Sequence, residues 1–222
     1  CYTQKLRLDK IIEYITEDAP VADIGTDHGY VPITLAGKGF ISKLYACDIN
    51  KGPLEMARKN ASAVDLDDRI EFVLGNGFEN LDLADIRYLI ISGMGGETSC
   101  DIMDKAEKKI TDNNIFIFQP ATKPEVLRYW LLNNSYEILA DDYVLENRKL
   151  YQIIIAKPGI SQKYSLLEMF TGKNTLSPIY NDIREYYMKR FLKNLSVSNI
   201  KNPEYNIYRY LYNELKEGTL YG

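Results

Sequence analysis

Two strand-like runs, residues 136–145 and 150–157, are separated only by Glu146-Asn-Arg-Lys149, and this short connection constrains the fold more than any other feature of the chain. A parallel pair needs a crossover of a dozen or more residues. The two runs therefore form a hairpin, and the last strand runs antiparallel. Upstream the pattern differs. Short apolar, β-prone runs, one ending at Gly25 and others at 44–48, 70–74, 88–92 and 115–118, alternate with segments of helical spacing at 31–38, 51–63, 97–109 and 123–133. Pro53 suits a first helical turn, and Gly37-Lys-Gly39 suits a helix end. Residues 88–92 are apolar almost throughout, as a central parallel strand covered on both faces requires. A lead-in helix over 5–17, with Leu6, Leu8, Ile11, Ile12 and Ile15 on one face, is expected on the sheet edge. The class is α/β: five βα units closed by an antiparallel hairpin.

The turns carry the chemistry. Val21-Ala-Asp-Ile-Gly-Thr-Asp-His-Gly-Tyr30 reads as a strand running into a ligand-binding turn, where Gly25 has no Cβ to hold a ligand off the backbone. Asp48 ends the next run about 20 residues on, the offset of a carboxylate that grips a ribose. A dinucleotide oxidoreductase prefers three glycines, G-x-G-x-x-G. Here Asp23-x-Gly25-x-Asp27-x-Gly29 has two glycines and is acidic. Acid repels a pyrophosphate and suits a cation. S-adenosylmethionine, with an ammonium, a sulfonium, a ribose and no phosphate, is favoured over NAD. Its expected contacts are Asp23, Gly25, Asp27, His28, Asp48, Ile49, Asn76, Gly77 and Ser92. Several of these have a plainer alternative: Asp27 caps the next helix or touches ligand only, His28 makes a local hydrogen bond, and Asn76 is an ordinary turn residue.

Charge divides the chain. The net charge of −4 splits into −8 for residues 1–156 and +4 for residues 157–222. After Lys157-Pro-Gly159 the pattern is helical only, and two antiparallel helices are expected. We divide the chain into a catalytic domain, 1–157, and an extension, 158–222. The extension holds half of the 18 tyrosines. Basic and aromatic, it is either a nucleic-acid grip or a helical hairpin whose tyrosines are core and rim. On a helix, Lys189, Arg190 and Lys193 would form one basic strip. Three scattered cysteines, Cys1, Cys47 and Cys100, with one histidine, suit neither a disulfide framework nor a zinc site. No run suits a membrane span, and a cytoplasmic protein is expected.

The run 22–30, Asp48-Ile-Asn-x-Gly-Pro53, Gly75-Asn-Gly77, Ser92-Gly-Met-Gly-Gly96, Gln119-Pro120 and the helical pair together resemble the bacterial tRNA (adenine-22-N1)-methyltransferases, the TrmK family, over essentially the whole chain. The chain departs from the family pattern at Ser92, where the family has Cys, and at Thr26 and Gly29, where it has Ser and Ala. The first argues against thiol chemistry at position 92. The resemblance implies a Rossmann-like class I S-adenosylmethionine-dependent methyltransferase with a coiled-coil-like helical extension. It implies methylation of adenine N1 at position 22, with S-adenosylhomocysteine as product and no metal, by a monomer acting on tRNA. Asp27 and Tyr30 are the catalytic candidates; Gly93, Met94, Gly95, Gly96, Lys189, Arg190 and Lys193 are the substrate candidates.

The chemistry itself asks for little. Adenine N1 attacks with a lone pair, and a carboxylate near the exocyclic amine can then take a proton or offset the charge on the base. Residues 93–96 stand where amino-methyltransferases keep Asn-Pro-Pro-Tyr. A turn offering backbone N–H groups and open space favours ring-nitrogen attack, while a tight βα turn with no substrate role is the alternative. Two rival functions are a small-molecule or protein methyltransferase, and a non-catalytic RNA-binding module.

Overall fold

The computed structural model describes residues 6–173, 178–198 and 200–217; Cys1 and Lys5, the latter at the expected start of the lead-in helix, lie outside them. Strands β1 (Val21–Ile24), β2 (Leu44–Asp48), β3 (Ile70–Leu74), β4 (Tyr88–Ser92) and β5 (Ile115–Gln119) are mutually parallel. Helix α1 (Leu6–Glu13) precedes them, and α2 (Tyr30–Gly37), α3 (Lys51–Ser62), α4 (Gly96–Ala106) and α5 (Pro124–Asn133) follow β1, β2, β4 and β5. Strands β3 and β4 are joined without an α-helix, only by a loop with the 3-10 turn Leu83–Asp85, so there are four βα units and not the five expected. The hairpin is β6 (Tyr136–Glu146) and β7 (Lys149–Pro158), and β7 lies antiparallel between β5 and β6. Its turn is only Asn147 and Arg148, at φ 51° and 62°, the two-residue left-handed turn that matches strand twist. The order β3-β2-β1-β4-β5-β7-β6 reverses direction between β1 and β4, and a ligand crevice opens there in sheets of this kind.

Alternation along the strands builds two cores. Ala22, Ile24, Leu89, Ile91, Phe116 and Phe118 face one way, onto Met103 and Leu127; Val21, Leu44, Ala46, Ile90 and Ile117 face the other, onto Ile11 and Leu35. The sheet is thus covered on both faces, and its carboxyl-end loops are left to bind. No helix among the described residues is long and apolar enough to cross a membrane.

A third core joins the extension to the hairpin. The short α6 (Leu166–Thr171) starts on a capping box of Ser165 and Glu168. Then α7 (Tyr180–Val197) and α8 (Pro203–Glu217) pair antiparallel: Arg184 near the start of α7 donates to Leu215 O near the end of α8, while Phe191 meets Tyr208 at 6.2 Å. Ile183, Tyr187, Phe191, Leu211 and Leu215 bury themselves with Tyr143 of β6 and Leu167. Beneath them lies Arg128 of α5, fully buried. It donates to Asp141 Oδ1 at 2.6 Å, Gln152 Oε1 at 2.7 Å and Met169 O at 3.0 Å. Gln152 in turn donates to the Tyr187 hydroxyl, and Tyr143 donates to Thr171 O at 2.5 Å. Among the tyrosines of the extension, Tyr187 is a core residue and Tyr208 packs half-buried against that core, whereas Tyr186 and Tyr210 stay exposed.

Candidate active site

The crevice at the sheet reversal begins with Asp23, the third residue of β1. Its side chain is buried and accepts a hydrogen bond from Thr26 Oγ1 at 2.8 Å. Among the described residues no cation pairs with it. Loss of water pushes its pKa up to about 6, against the Thr26 bond and with help from the nearby Asp48 charge. Next comes Gly25, at φ 72°, where a Cβ would run into the terminal methyl of Met94. Two cavities meet at this glycine. The first, about 220 Å³, is lined by Asp23, Thr26, Asp27, Tyr30, Ser92 and Gly93, with Arg7 and Leu8 of α1. The second, about 340 Å³, is lined by Asp48, Ile49, Asn76, Gly77 and Met94, with Thr98, Asp101 and Lys105 of α4.

Strand ends position the second cavity. Asp48 closes β2, is buried at 9% exposure, and accepts the Asn50 N–H at 2.9 Å through Oδ1. Ile49 follows it and is 60% exposed, a free apolar face over the cavity. Gly77, at φ 61°, packs so near Ile102 that a Cβ would lie 3.0 Å from it. The predicted residues Asp48, Ile49, Asn76 and Gly77 are therefore brought together. Ser92, at the end of β4, donates to Gln119 Oε1 at 3.3 Å and lines the first cavity.

Asp27 does not cap α2. That helix starts on Gly29, at φ 71° and with no side-chain cap bond, whereas Asp27 sits at φ 50° with its carboxylate turned outward, 71% exposed. Its contact is His28 Nε2 at 3.3 Å. His28 lies against Tyr30, ring centroids 5.4 Å apart, and lines neither cavity, so any effect of His28 passes through its two neighbours. Asp27 and Tyr30 both border the first cavity. Sequence reasoning missed Arg7. Its guanidinium lies 5.1 Å over the Tyr151 ring and 3.9 Å from Glu146, and its buried Nε makes no hydrogen bond. The only signal was one arginine on the apolar face of α1, which a helical period does not distinguish from a rim residue.

The glycine turn after β4 differs from expectation. The N–H groups of Gly93 and Gly96 donate to Gln119 O at 2.9 Å and Thr122 O at 2.8 Å, and Ala121 N–H donates to Met94 O at 2.7 Å. Adjacent parallel strands end side by side here, so their loops zip together and two of the expected donors are engaged. Gly96 is buried, and a Cβ there would collide with the Lys123 carbonyl. Gly95 bridges to Thr122. Met94 turns toward the second cavity, over Gly25. Only Gly93 keeps open space in front of it. The basic strip changes too: Lys189 and Lys193 are exposed, but Arg190 folds inward, paired with Glu125 at 2.7 Å and lying over Phe170 and Tyr187. Packing on α5 claims it.

A methyltransferase-domain family model matches residues 4–154. The tRNA (adenine(22)-N(1))-methyltransferase of Bacillus subtilis is 29% identical over 153 residues, 69% of this chain; the match spans 64% of that relative's own length. Among solved structures, M. capricolum TrmK in complex with S-adenosyl-homocysteine is 28% identical, covering 98% of each chain at a TM-score of 0.82. The S-adenosyl-L-methionine complex of Streptococcus pneumoniae Sp1610 is 26% identical, covering 96% of this chain and 98% of that one at 0.83.

Proposed function

The chain belongs to the methyltransferase-domain family, and we propose that it transfers a methyl group from S-adenosylmethionine to N1 of adenine 22 in the folded core of tRNA. The observation that carries this reading is Asp23: a carboxylate buried at the sheet reversal, its pKa pushed up to about 6 by that burial, with no cation beside it among the described residues, on the first of two cavities that meet at a bare glycine. A ligand with a cationic end and a ribose satisfies both halves. Asp23 and Asp27 face the cationic end, Arg7 suits a carboxylate beside it, Asp48 takes the ribose hydroxyls, and Ile49 with Asn76 takes the adenine. The chain's likeness to the Bacillus subtilis relative named as a tRNA (adenine(22)-N(1))-methyltransferase supports the choice of substrate.

The bound cofactor supplies an electrophilic methyl group on a sulfonium. Gly93 leaves the open space in which adenine N1 would present its lone pair to that methyl group, so that the base would take the positive charge and S-adenosylhomocysteine would be the leaving group. Asp27, exposed at the mouth of the same cavity, offsets that charge and accepts a proton from the exocyclic amine. Residues 1–157 bind the cofactor and do the chemistry, while residues 158–222 hold the tRNA. The protein acts as a monomer in the cytoplasm. Incubation with labelled S-adenosylmethionine and bulk tRNA, followed by nucleoside mass spectrometry, should give 1-methyladenosine from position 22. Label recovered only in protein or in small molecules overturns the reading.

A further inference from the structure

Beside the glycine turn, a second groove runs between the extension and the α/β part. It measures about 250 Å³ and is lined by Pro120 and Thr122 of the loop after β5, Pro124 at the start of α5, Leu150 of β7, and Tyr186 and Arg190 of α7. Its floor is the loop whose backbone is hydrogen-bonded to residues 94 and 96, so the groove adjoins the place where the target base enters. Tyr186 is 44% exposed, although its neighbour Tyr187 is fully buried. The Tyr186 ring is held edge-on against Tyr187, with centroids 5.1 Å apart and planes at 87°. A large aromatic face is thus fixed in advance and left in solvent.

The charges around the groove point to what it holds. Arg190 is paired with Glu125 at 2.7 Å, and Lys123 with Glu97 at 2.7 Å. The half-buried Arg190 is neutralised by Glu125, while the exposed Lys123–Glu97 pair is weak, so a phosphate would be met only at the Lys123 edge and not within the groove. It offers a planar, uncharged ring two prolines, a leucine side chain and a tyrosine face. We propose that this groove is a base-stacking subsite, in which Tyr186 receives an unpaired base of the RNA substrate next to the adenine being methylated. The inference rests on the tRNA reading above and adds to it the residue that reads an unstacked neighbour. Every base has a π-face, so such a platform is tolerant of sequence and selective for single-stranded geometry.

The test compares Tyr186→Ala, Tyr186→Leu and Tyr186→Phe with the wild type in tRNA binding over a range of salt concentrations. Loss of the ring should weaken tRNA binding about 10- to 100-fold in the Ala and Leu variants, with the salt dependence unchanged, because no phosphate contact is removed. Phe should bind within about twofold of wild type, since the face and not the hydroxyl is used. S-adenosylmethionine affinity should be unchanged in all three, which also verifies folding, and Leu keeps apolar volume against Tyr187 should Ala fail to fold. Unchanged tRNA affinity in Ala and Leu overturns the subsite, as does a flattened salt dependence, which marks a phosphate contact. A Phe variant as weak as Ala overturns it too, because the hydroxyl is then the contact. A wild-type protein that binds no tRNA sinks the tRNA reading and the subsite together. An active wild type beside an equally active Ala variant sinks the subsite alone.

Discussion

Asp23 and Arg128 are both buried charges, one at the sheet reversal and one beneath the extension, and they are balanced differently. Arg128 has a complete shell: Asp141, Gln152 and the carbonyls of Met169 and Phe170 take its donors, and against the cost of burial the charge and hydrogen bond of Asp141 together with Tyr143 and Tyr187 hold its pKa above the usual value. Asp23 has one hydroxyl donor and no cation among the described residues, and burial pushes its pKa up to about 6. Burial alone does not mark a functional residue. A buried charge whose partner is present serves the fold, and one whose partner is missing marks the place of a ligand.

The largest effect should come from breaking the balanced charge. Arg128→Ala leaves Asp141 buried without its cation, with only the Tyr164 hydroxyl and the Lys173 N–H still donating to it, and should cost about 3–5 kcal/mol in denaturant unfolding. Pairing Arg128→Met with Asp141→Leu should recover much of that loss, since the buried pair is then removed as a unit. A single-variant loss under about 1 kcal/mol would contradict the structural role. The same network makes simple truncation of residues 160–222 a poor test of function, because it strips Arg128 of Met169 O, Phe170 O and the Gln152–Tyr187 bond.

On the ligand side, Asp27→Asn keeps the side-chain shape and removes charge at the cavity mouth. Turnover should fall about 100-fold or more, with cofactor affinity changed far less. An unchanged single-turnover rate would remove Asp27 from the chemistry; capping is already excluded because Gly29 begins α2. Asp48→Ala should act the other way, weakening S-adenosylhomocysteine binding about 10- to 100-fold through lost charge-assisted bonds. A change under about twofold by calorimetry would take the ribose from Asp48.

Asp23 gives the comparison a pH signature. Its folded pKa is about 6 against an ordinary value of 3.8, so ionisation disfavours the folded state. Its contribution to stability is therefore greatest below about pH 4 and declines as pH rises through about 6. Ligand binding has the opposite sign: a cationic amino group is attracted only by the ionised carboxylate. Affinity for S-adenosylhomocysteine, which keeps that ammonium, should rise by up to about tenfold per pH unit below 6 and level off above it. Asp23→Asn should flatten the profile. A wild-type affinity that is flat from pH 5 to 7 would break the assignment.

What the sequence made legible was local. The βα alternation, the hairpin and the carboxylate at the end of β2 follow from period and turn length, which neighbouring residues set among themselves. What it hid was long-range. The period of α7 says that Ile183, Tyr187 and Phe191 share an apolar stripe, but not that Arg190, on the edge of that stripe, would find Glu125, 65 residues away. The glycine turn misled for a similar reason: whether its N–H groups are open depends on the loop of the adjacent strand, and Gln119 and Thr122 supply the acceptors. Arg7 was hidden because only the folded sheet brings α1 beside Asp23.

The smallest expected effect tests the face of α7 opposite its buried stripe. With Arg190 turned inward, the basic strip proposed to face tRNA reduces to Lys189 and Lys193, four residues apart. Both are exposed, and Lys189 pairs with Glu185 one turn back. An exposed pair of that kind is weak and is readily exchanged for a phosphate. Replacing both lysines by Ala should weaken tRNA binding modestly and flatten its salt dependence by about 0.7–0.9 log unit per lost phosphate contact, with cofactor affinity intact. Arg190→Ala should instead lower stability through the loss of Glu125, whose second carboxylate oxygen already has no hydrogen-bond partner, and should leave the salt slope alone. If the double lysine variant keeps the wild-type slope, α7 is not the phosphate grip, and the grip must then be sought on the α/β part, beginning with Lys105 beside the second cavity.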